Sequence, residues 1–90
     1  MNNRQRKTRE SIFKGPVSAN IVWKDIESLL NALGCEITEI TEITEGSGSR
    51  VRLALNGVRA VFHRPHPDPK TDRGAVKSMR RFITEAGIQP

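Results

Sequence analysis

Arg50-Val51-Arg52-Leu53-Ala54-Leu55-Asn56-Gly57-Val58-Arg59-Ala60-Val61-Phe62-His63 reads as two strands joined by a tight turn. Asn56-Gly57 is the preferred pair for a two-residue type I′ turn, because both central residues need positive φ there. Val51, Leu53 and Leu55 alternate with polar or small residues on one side of the turn, and Val58, Ala60 and Phe62 do so on the other. A two-residue loop sets the register, so Leu55 opposes Val58, Leu53 opposes Ala60 and Val51 opposes Phe62. That face is core. The opposite face pairs Arg50 with His63, Arg52 with Val61 and Ala54 with Arg59, so it presents three arginines and a histidine.

Upstream, Gly46-Ser47-Gly48-Ser49 is a turn, and Cys35 to Glu45 is rich in Ile and Thr, which favours strand. Ile37, Ile40 and Ile43 recur every third residue, so this strand is expected to carry an irregularity near Glu39 to Thr41. Before it, Val22, Trp23, Ile26, Leu29, Leu30 and Leu33 recur at helical spacing. Asn20 is the expected N-cap, Gly34 the expected C′ residue, and Trp23 a core anchor. Downstream, Pro65, Pro67 and Pro69 alternate through a segment that can be neither helix nor central strand. Thr71 or Asp72 can then cap a helix running to about Ala86, with Val76, Met79, Phe82, Ile83 and Ala86 as its apolar stripe. Arg73, Lys77 and Arg80 line another face of it.

The element order predicts an α+β fold, an α-β-β-β-α two-layer sandwich whose three-stranded antiparallel sheet carries two helices on one face. Residues 1–19 are expected to form a basic, flexible tail and residues 20–90 the folded domain. The tail carries Arg4, Arg6, Lys7 and Arg9 and runs into Gly15-Pro16. A basic arm on a phosphate backbone is the functional alternative to a merely solvated terminus.

Ninety residues allow one domain with one modest core. The 15 Lys+Arg exceed the 10 Asp+Glu, for a net charge of +5, which points to a polyanionic partner. Cys35 is the single cysteine, so an intramolecular disulfide is excluded, in keeping with a reducing cytoplasm. No apolar run approaches the roughly 20 residues of a membrane span, and the polar N-terminus lacks the core of a signal peptide. No membrane partner and a cytoplasmic location are expected. With one Trp, three Phe and no Tyr, base stacking on aromatic platforms is not the first expectation.

The start of the last helix offers free N–H groups and a positive dipole end, with Lys70, Arg73 and Lys77 around it, an arrangement suited to an RNA backbone. The alternative is a solvated helix face. His63 and His66 flank Arg64. A histidine titrates near neutrality and can take the proton of an RNA 2′-hydroxyl, and nearby arginines can stabilise the charge that develops on phosphorus. The alternative is that His66 spaces two prolines and His63 is an exposed strand end. Two histidines and a distant cysteine lack metal-ligand spacing, Gly46 and Gly48 are not followed by a Lys-Ser/Thr pair, and no metal or cofactor is expected. Cys35, after a helix cap, reads as an apolar filler rather than a nucleophile.

Taken in order, the segments Trp23-Lys24-Asp25-Ile26-Glu27-Ser28-Leu29-Leu30, Leu33-Gly34, Gly48-Ser49, Phe62-His63-Arg64-Pro65-His66-Pro67 and Gly74 through Ala86-Gly87 resemble the HicA family of bacterial toxins, over roughly residues 22–88. The resemblance implies a fold like the double-stranded-RNA-binding domain, a ribosome-independent mRNA interferase (an endoribonuclease), and a HicB-type antitoxin that covers the active face. It also implies a catalytic histidine after a glycine and a Ser or Thr at the start of the second strand. Here Gly48-Ser49 is followed by Arg50. Three explanations stand: a shifted register, a different base such as His63, or a chain that binds RNA without cutting it. On the cleaving reading, His63 or His66 is the base. Ser49, Arg50, Arg52 and Arg64 contact the RNA from the sheet side, and Lys70, Arg73 and Lys77 from the last helix.

Overall fold

The computed structural model describes residues 1–40, 50–65 and 68–90. Ser49, His66, the turn expected at Gly46 to Ser49 and the strand expected beyond Ile40 lie outside the described residues. Six elements follow in order: α1 (Asn3–Phe13), α2 (Trp23–Ala32), β1 (Glu36–Ile40), β2 (Arg50–Leu55), β3 (Val58–His63) and α3 (Arg73–Glu85). The sheet is antiparallel, in the order β1-β2-β3. The architecture is the expected α+β sandwich. Among the described residues no helix is long and apolar enough to cross a membrane.

The hairpin register is the one its alternation dictates, from Leu55↔Val58 at the turn to Arg50↔His63 at the far end. Asn56 and Gly57 have φ of 50° and 83°, the pair of positive values that a type I′ turn requires. Asn56 is also anchored, because its Nδ2 donates to the carbonyl of Ala86 at 2.8 Å. Val51, Leu53, Leu55 and Phe62 face the helices and are buried with Ile26, Leu29, Leu30, Val76, Met79 and Ile83. Trp23 is the core anchor expected of it. It stacks at a tilt on Phe62 with centroids 5.9 Å apart, and Phe62 meets Phe82 edge-on at 6.3 Å.

Three expectations are corrected. First, the irregularity expected near Glu39 to Thr41 does not fall at Glu39 or Ile40, since Ile37↔Leu53, Glu39↔Val51 and Ile40↔Arg50 pair in steady succession; Thr41 lies outside the described residues. The three-residue spacing instead puts Ile37 toward the helices and Ile40 on the opposite face. Second, α2 begins at Trp23 with Val22 as N-cap and no side-chain cap. Residues before it are drawn into an extended pairing with the proline segment: Val22 bridges Lys70, the Trp23 N–H donates to Pro69 O at 3.0 Å, and the Thr71 N–H donates to Ile21 O at 2.7 Å. The carbonyl of Pro69, from a distant segment, thus does the work expected of Asn20.

Third, much of the 1–19 segment is not a loose tail. Asn2 and Gln5 form a reciprocal capping box at the start of α1, and Ile12 near its end is completely buried. Contacts to α2 and α3 hold this helix against the helical layer, on the side away from the sheet. Arg4 pairs with Asp25 at 2.9 Å, Gln5 donates to the Ser28 carbonyl at 3.2 Å, and Arg9 donates to the Gln89 carbonyl at 2.8 Å. Arg80 reaches back from α3 to the carbonyls of Ile12 and Lys14, both at 2.7 Å. The segment offers few apolar residues, so pattern alone hides its docking, which is carried by polar bonds spanning the length of the chain.

Candidate nucleic-acid interface

The face of the sheet turned away from the helices is built by alternation along each strand. Three rows cross it: Ile40, Arg50 and His63; Thr38, Arg52 and Val61; Glu36, Ala54 and Arg59. Arg52, Arg59, Val61 and His63 are exposed, and Val61, at 51%, is one of two large hydrophobic residues left exposed among the described residues.

A two-residue turn makes its flanking pair, Leu55 and Val58, exchange both ladder hydrogen bonds, so every second pair along the hairpin does the same. Arg50 and His63 therefore form a non-hydrogen-bonded pair, the kind in which side chains approach most closely, with Cβ atoms about 4.5–5.5 Å apart. An imidazole and a guanidinium side by side on an open face can remove a proton and hold an adjacent phosphate. Arg52 extends the positive row by one strand step, and Arg59 closes it at the turn end.

The other expected contacts fall elsewhere. Arg64 has its Nε and Nη2 on the two oxygens of Glu27, at 2.9 and 3.0 Å, and its Nη1 on Glu39 at 2.6 Å. Glu27 also accepts from the indole Nε1 of Trp23. The bond to Glu27 is the chief cause that raises the Arg64 guanidinium above its ordinary value. Arg64 thus joins α2, β1 and β3 from the helix side of the sheet, and its fork is engaged by carboxylates rather than presented to phosphate. The α3 N-terminus is likewise occupied: Asp72 caps it, its carboxylate accepting from the Ala75 N–H at 2.8 Å. A negative side chain already sits where an anion was expected. Arg73 and Lys77 are exposed on α3 but share their stripe with Arg80, which turns toward α1. The stripe lies on the helical layer, across the sheet from His63. Lys70 is exposed in the short bridge to Val22.

Between β3 and α3 runs a groove of about 410 Å³. Arg59, Val61 and His63 border it on the strand, and Ala75, Ser78 and Arg81 on the helix. Hairpin alternation signals the strand side; the helix side follows only from how α3 packs, which no local pattern announces. Cys35 is buried, as a filler should be, and burial is the largest cause that pushes its thiol up, against a backbone hydrogen bond involving Ala54 that lowers it. Among the described residues no three His, Cys, Asp or Glu side chains gather as a metal site would require.

Comparison with known proteins bears on the whole of this arrangement. Searches of the curated proteins and of the solved structures return no match. A family model described as the HicA toxin of bacterial toxin-antitoxin systems matches residues 23–88, from the first residue of α2 to just beyond α3. That match takes in the sheet, the open face and the groove, leaves α1 outside, and carries with it an antitoxin partner; the chain belongs to the HicA toxin family.

Proposed function

We propose that this chain is the toxin of a type II toxin–antitoxin pair, a cytoplasmic endoribonuclease that cleaves mRNA and is neutralised by a HicB-type antitoxin. The observation that carries the reading is the cross-strand pair of Arg50 and His63 on the open face. The family's histidine belongs where Arg50 stands, and His63 is its immediate neighbour on the next strand.

In this reading His63 takes the proton from a ribose 2′-hydroxyl. The 2′-oxygen forms a bond to the adjacent phosphorus, and the bond from phosphorus to the 5′-oxygen breaks. The 5′-oxygen takes a proton from water as it leaves, giving a 2′,3′-cyclic phosphate on one fragment and a 5′-hydroxyl on the other, and the hydroxide so formed takes back the proton held by His63. Arg50 and Arg52 hold the phosphate and offset the charge that builds on it. The step routes no electron pair through a metal or cofactor. His66 is the alternative base, Ser49 a further contact to the scissile region, and Lys70 a contact to the flanking backbone. Arg73 and Lys77 serve RNA only where it wraps onto the helical layer. A second reading, a chain that binds RNA without cutting it, is favoured by Arg50 itself.

Induced expression in a bacterial host separates them, comparing the wild-type chain with His63→Ala and His66→Ala while following growth and a defined mRNA. Growth arrest with fragments ending in cyclic phosphate, undiminished by a chelator, is expected from the wild type. His63→Ala should lower cleavage by about 10²–10⁴-fold, the range for losing a general base. Loss in His66→Ala alone moves the base to that residue. Intact mRNA and normal growth with folded wild-type protein would leave the non-catalytic reading.

A further inference from the structure

The same alternation that pairs Arg50 with His63 decides where the β3 backbone points. Val58, Ala60 and Phe62 direct their N–H and C=O groups to β2, so Arg59, Val61 and His63 direct theirs away from the sheet. β3 is an edge strand, and among the described residues no backbone hydrogen bond outside the ladder involves any of these three. Three donors and three acceptors thus face the groove of about 410 Å³ between β3 and α3. Natural sheets blunt such edges with prolines, bulges, charged side chains or a covering element, and of these the β3 edge shows charge, at Arg59. Here the edge is regular over its length and carries the exposed Val61 at its middle.

We infer that the β3 edge is a docking site for an extended, acidic segment of a protein partner, which adds a fourth strand beside Arg59, Val61 and His63. Charge selects this occupant. Arg59 and Arg52 flank Val61, and His63 stands at the end of the edge. The two carboxylates that line the groove are both engaged: Asp72 caps α3, and Glu85 pairs with Arg81 at 3.0 Å. A second copy of this chain fits poorly. Antiparallel pairing of two β3 edges about Val61 sets Arg59 of each against His63 of the other, so neither guanidinium meets a carboxylate across the seam. In strand addition, main-chain bonds supply affinity and alternate side chains supply selection. Glutamates opposite Arg59 and His63, with a β-branched residue opposite Val61, satisfy both. An occupied edge covers His63. That consequence rests on His63 as the base, whereas the docking itself does not.

The test uses the full chain and a short synthetic peptide of alternating Glu and Val, with an alternating Lys and Val peptide as control, followed by amide hydrogen exchange. With the acidic peptide at about ten times its Kd, exchange at Arg59, Val61 and His63 should slow roughly tenfold. The inward-facing amides of Ala60 and Phe62 should not change, and the basic peptide should protect nothing. Val61→Pro should abolish the protection while leaving the ladder intact, because the lost N–H faces away from β2. Should that variant misfold, Arg59→Glu serves instead: it should weaken the acidic peptide and admit the basic one. Unchanged exchange at all three amides, equal protection by both peptides, or protection by an RNA oligonucleotide alone would each overturn the proposal. So would a dimer formed without peptide and dissolved by Val61→Pro, which would assign the edge to a second copy.

Discussion

Four arginines of the helical side and two of the open sheet face have the same charge and opposite employment. On the helical side Arg4 is on Asp25, Arg9 on the Gln89 carbonyl, Arg64 on Glu27 and Glu39, and Arg80 on the carbonyls that end α1. Each closes a long stretch of chain. On the sheet face Arg52 and Arg59 stand exposed in rows with Thr38, Val61, Ala54 and Glu36. A net charge of +5 is therefore a poor map of where a polyanion would bind. Part of the positive charge is structural; of the rest, strand alternation gathers Arg52 and Arg59 on the sheet face, while Arg73 and Lys77 stand exposed on the helical layer.

The sharpest way to break this division is to attack the helical side and ask whether recognition suffers. Ile12→Ala removes a completely buried side chain from α1. It should cost about 2–5 kcal/mol, the range for truncating a buried Ile with partial collapse of the site. Denaturant unfolding measures the loss, and RNA binding at low salt by the folded fraction should be unchanged. A cost below about 0.5 kcal/mol, ordinary for a surface position, would mean that α1 does not dock and that residues 1–19 are the tail their composition suggests.

That example marks what the sequence makes legible. The β2–β3 hairpin is readable in full, because a two-residue turn and strict alternation leave one register, and the open face follows from it. The order of α2, the strands and α3 is readable from periodicity. α1 is not, because Ile12 is held by bonds from Arg80, and Arg9 reaches a carbonyl at the other end of the chain. Arg64 misleads for a related reason. Its neighbours in sequence, His63 and His66, invite a catalytic reading, but one step along an extended chain reverses the direction of a side chain. His63 faces solvent and Arg64 faces Glu27. The α3 N-terminus misleads because its own cap, Asp72, supplies the anion.

Arg64 gives the intermediate case. Its side chain is 30% exposed and holds Glu27, which is 21% exposed, together with the more exposed Glu39. Arg64→Ala leaves the Glu27 carboxylate half-buried, with the Trp23 indole still donating to it. Hydrogen bonds between charged groups contribute about 1.5–3 kcal/mol, and solvent reduces the Glu39 share, so a loss of about 1–2 kcal/mol is expected. Thermal melting should register it. The salt dependence of RNA affinity should stay where it is, since the guanidinium is not presented to phosphate. A flatter salt dependence in this variant would place Arg64 in the interface and erase the contrast between the two sides.

Arg52→Ala should do the reverse, and its effect on the fold is the smallest of the three. The side chain is exposed in the middle of the sheet face, so stability should move by no more than about 0.5 kcal/mol. Its contribution to recognition is read instead from salt titration. Each phosphate neutralised by a cation releases condensed counterions, so removing one contact lowers the slope of log K against log salt by about 1. Lys77→Ala removes the same charge from the helical layer and leaves the slope alone if RNA meets only the sheet. The pair of measurements isolates position from charge, since both variants drop the net charge equally. Equal reductions in slope would mean that RNA embraces both sides of the domain and that the α3 stripe is part of the interface. A reduction in Arg52→Ala alone confines the backbone to the face where Arg50 and His63 are paired.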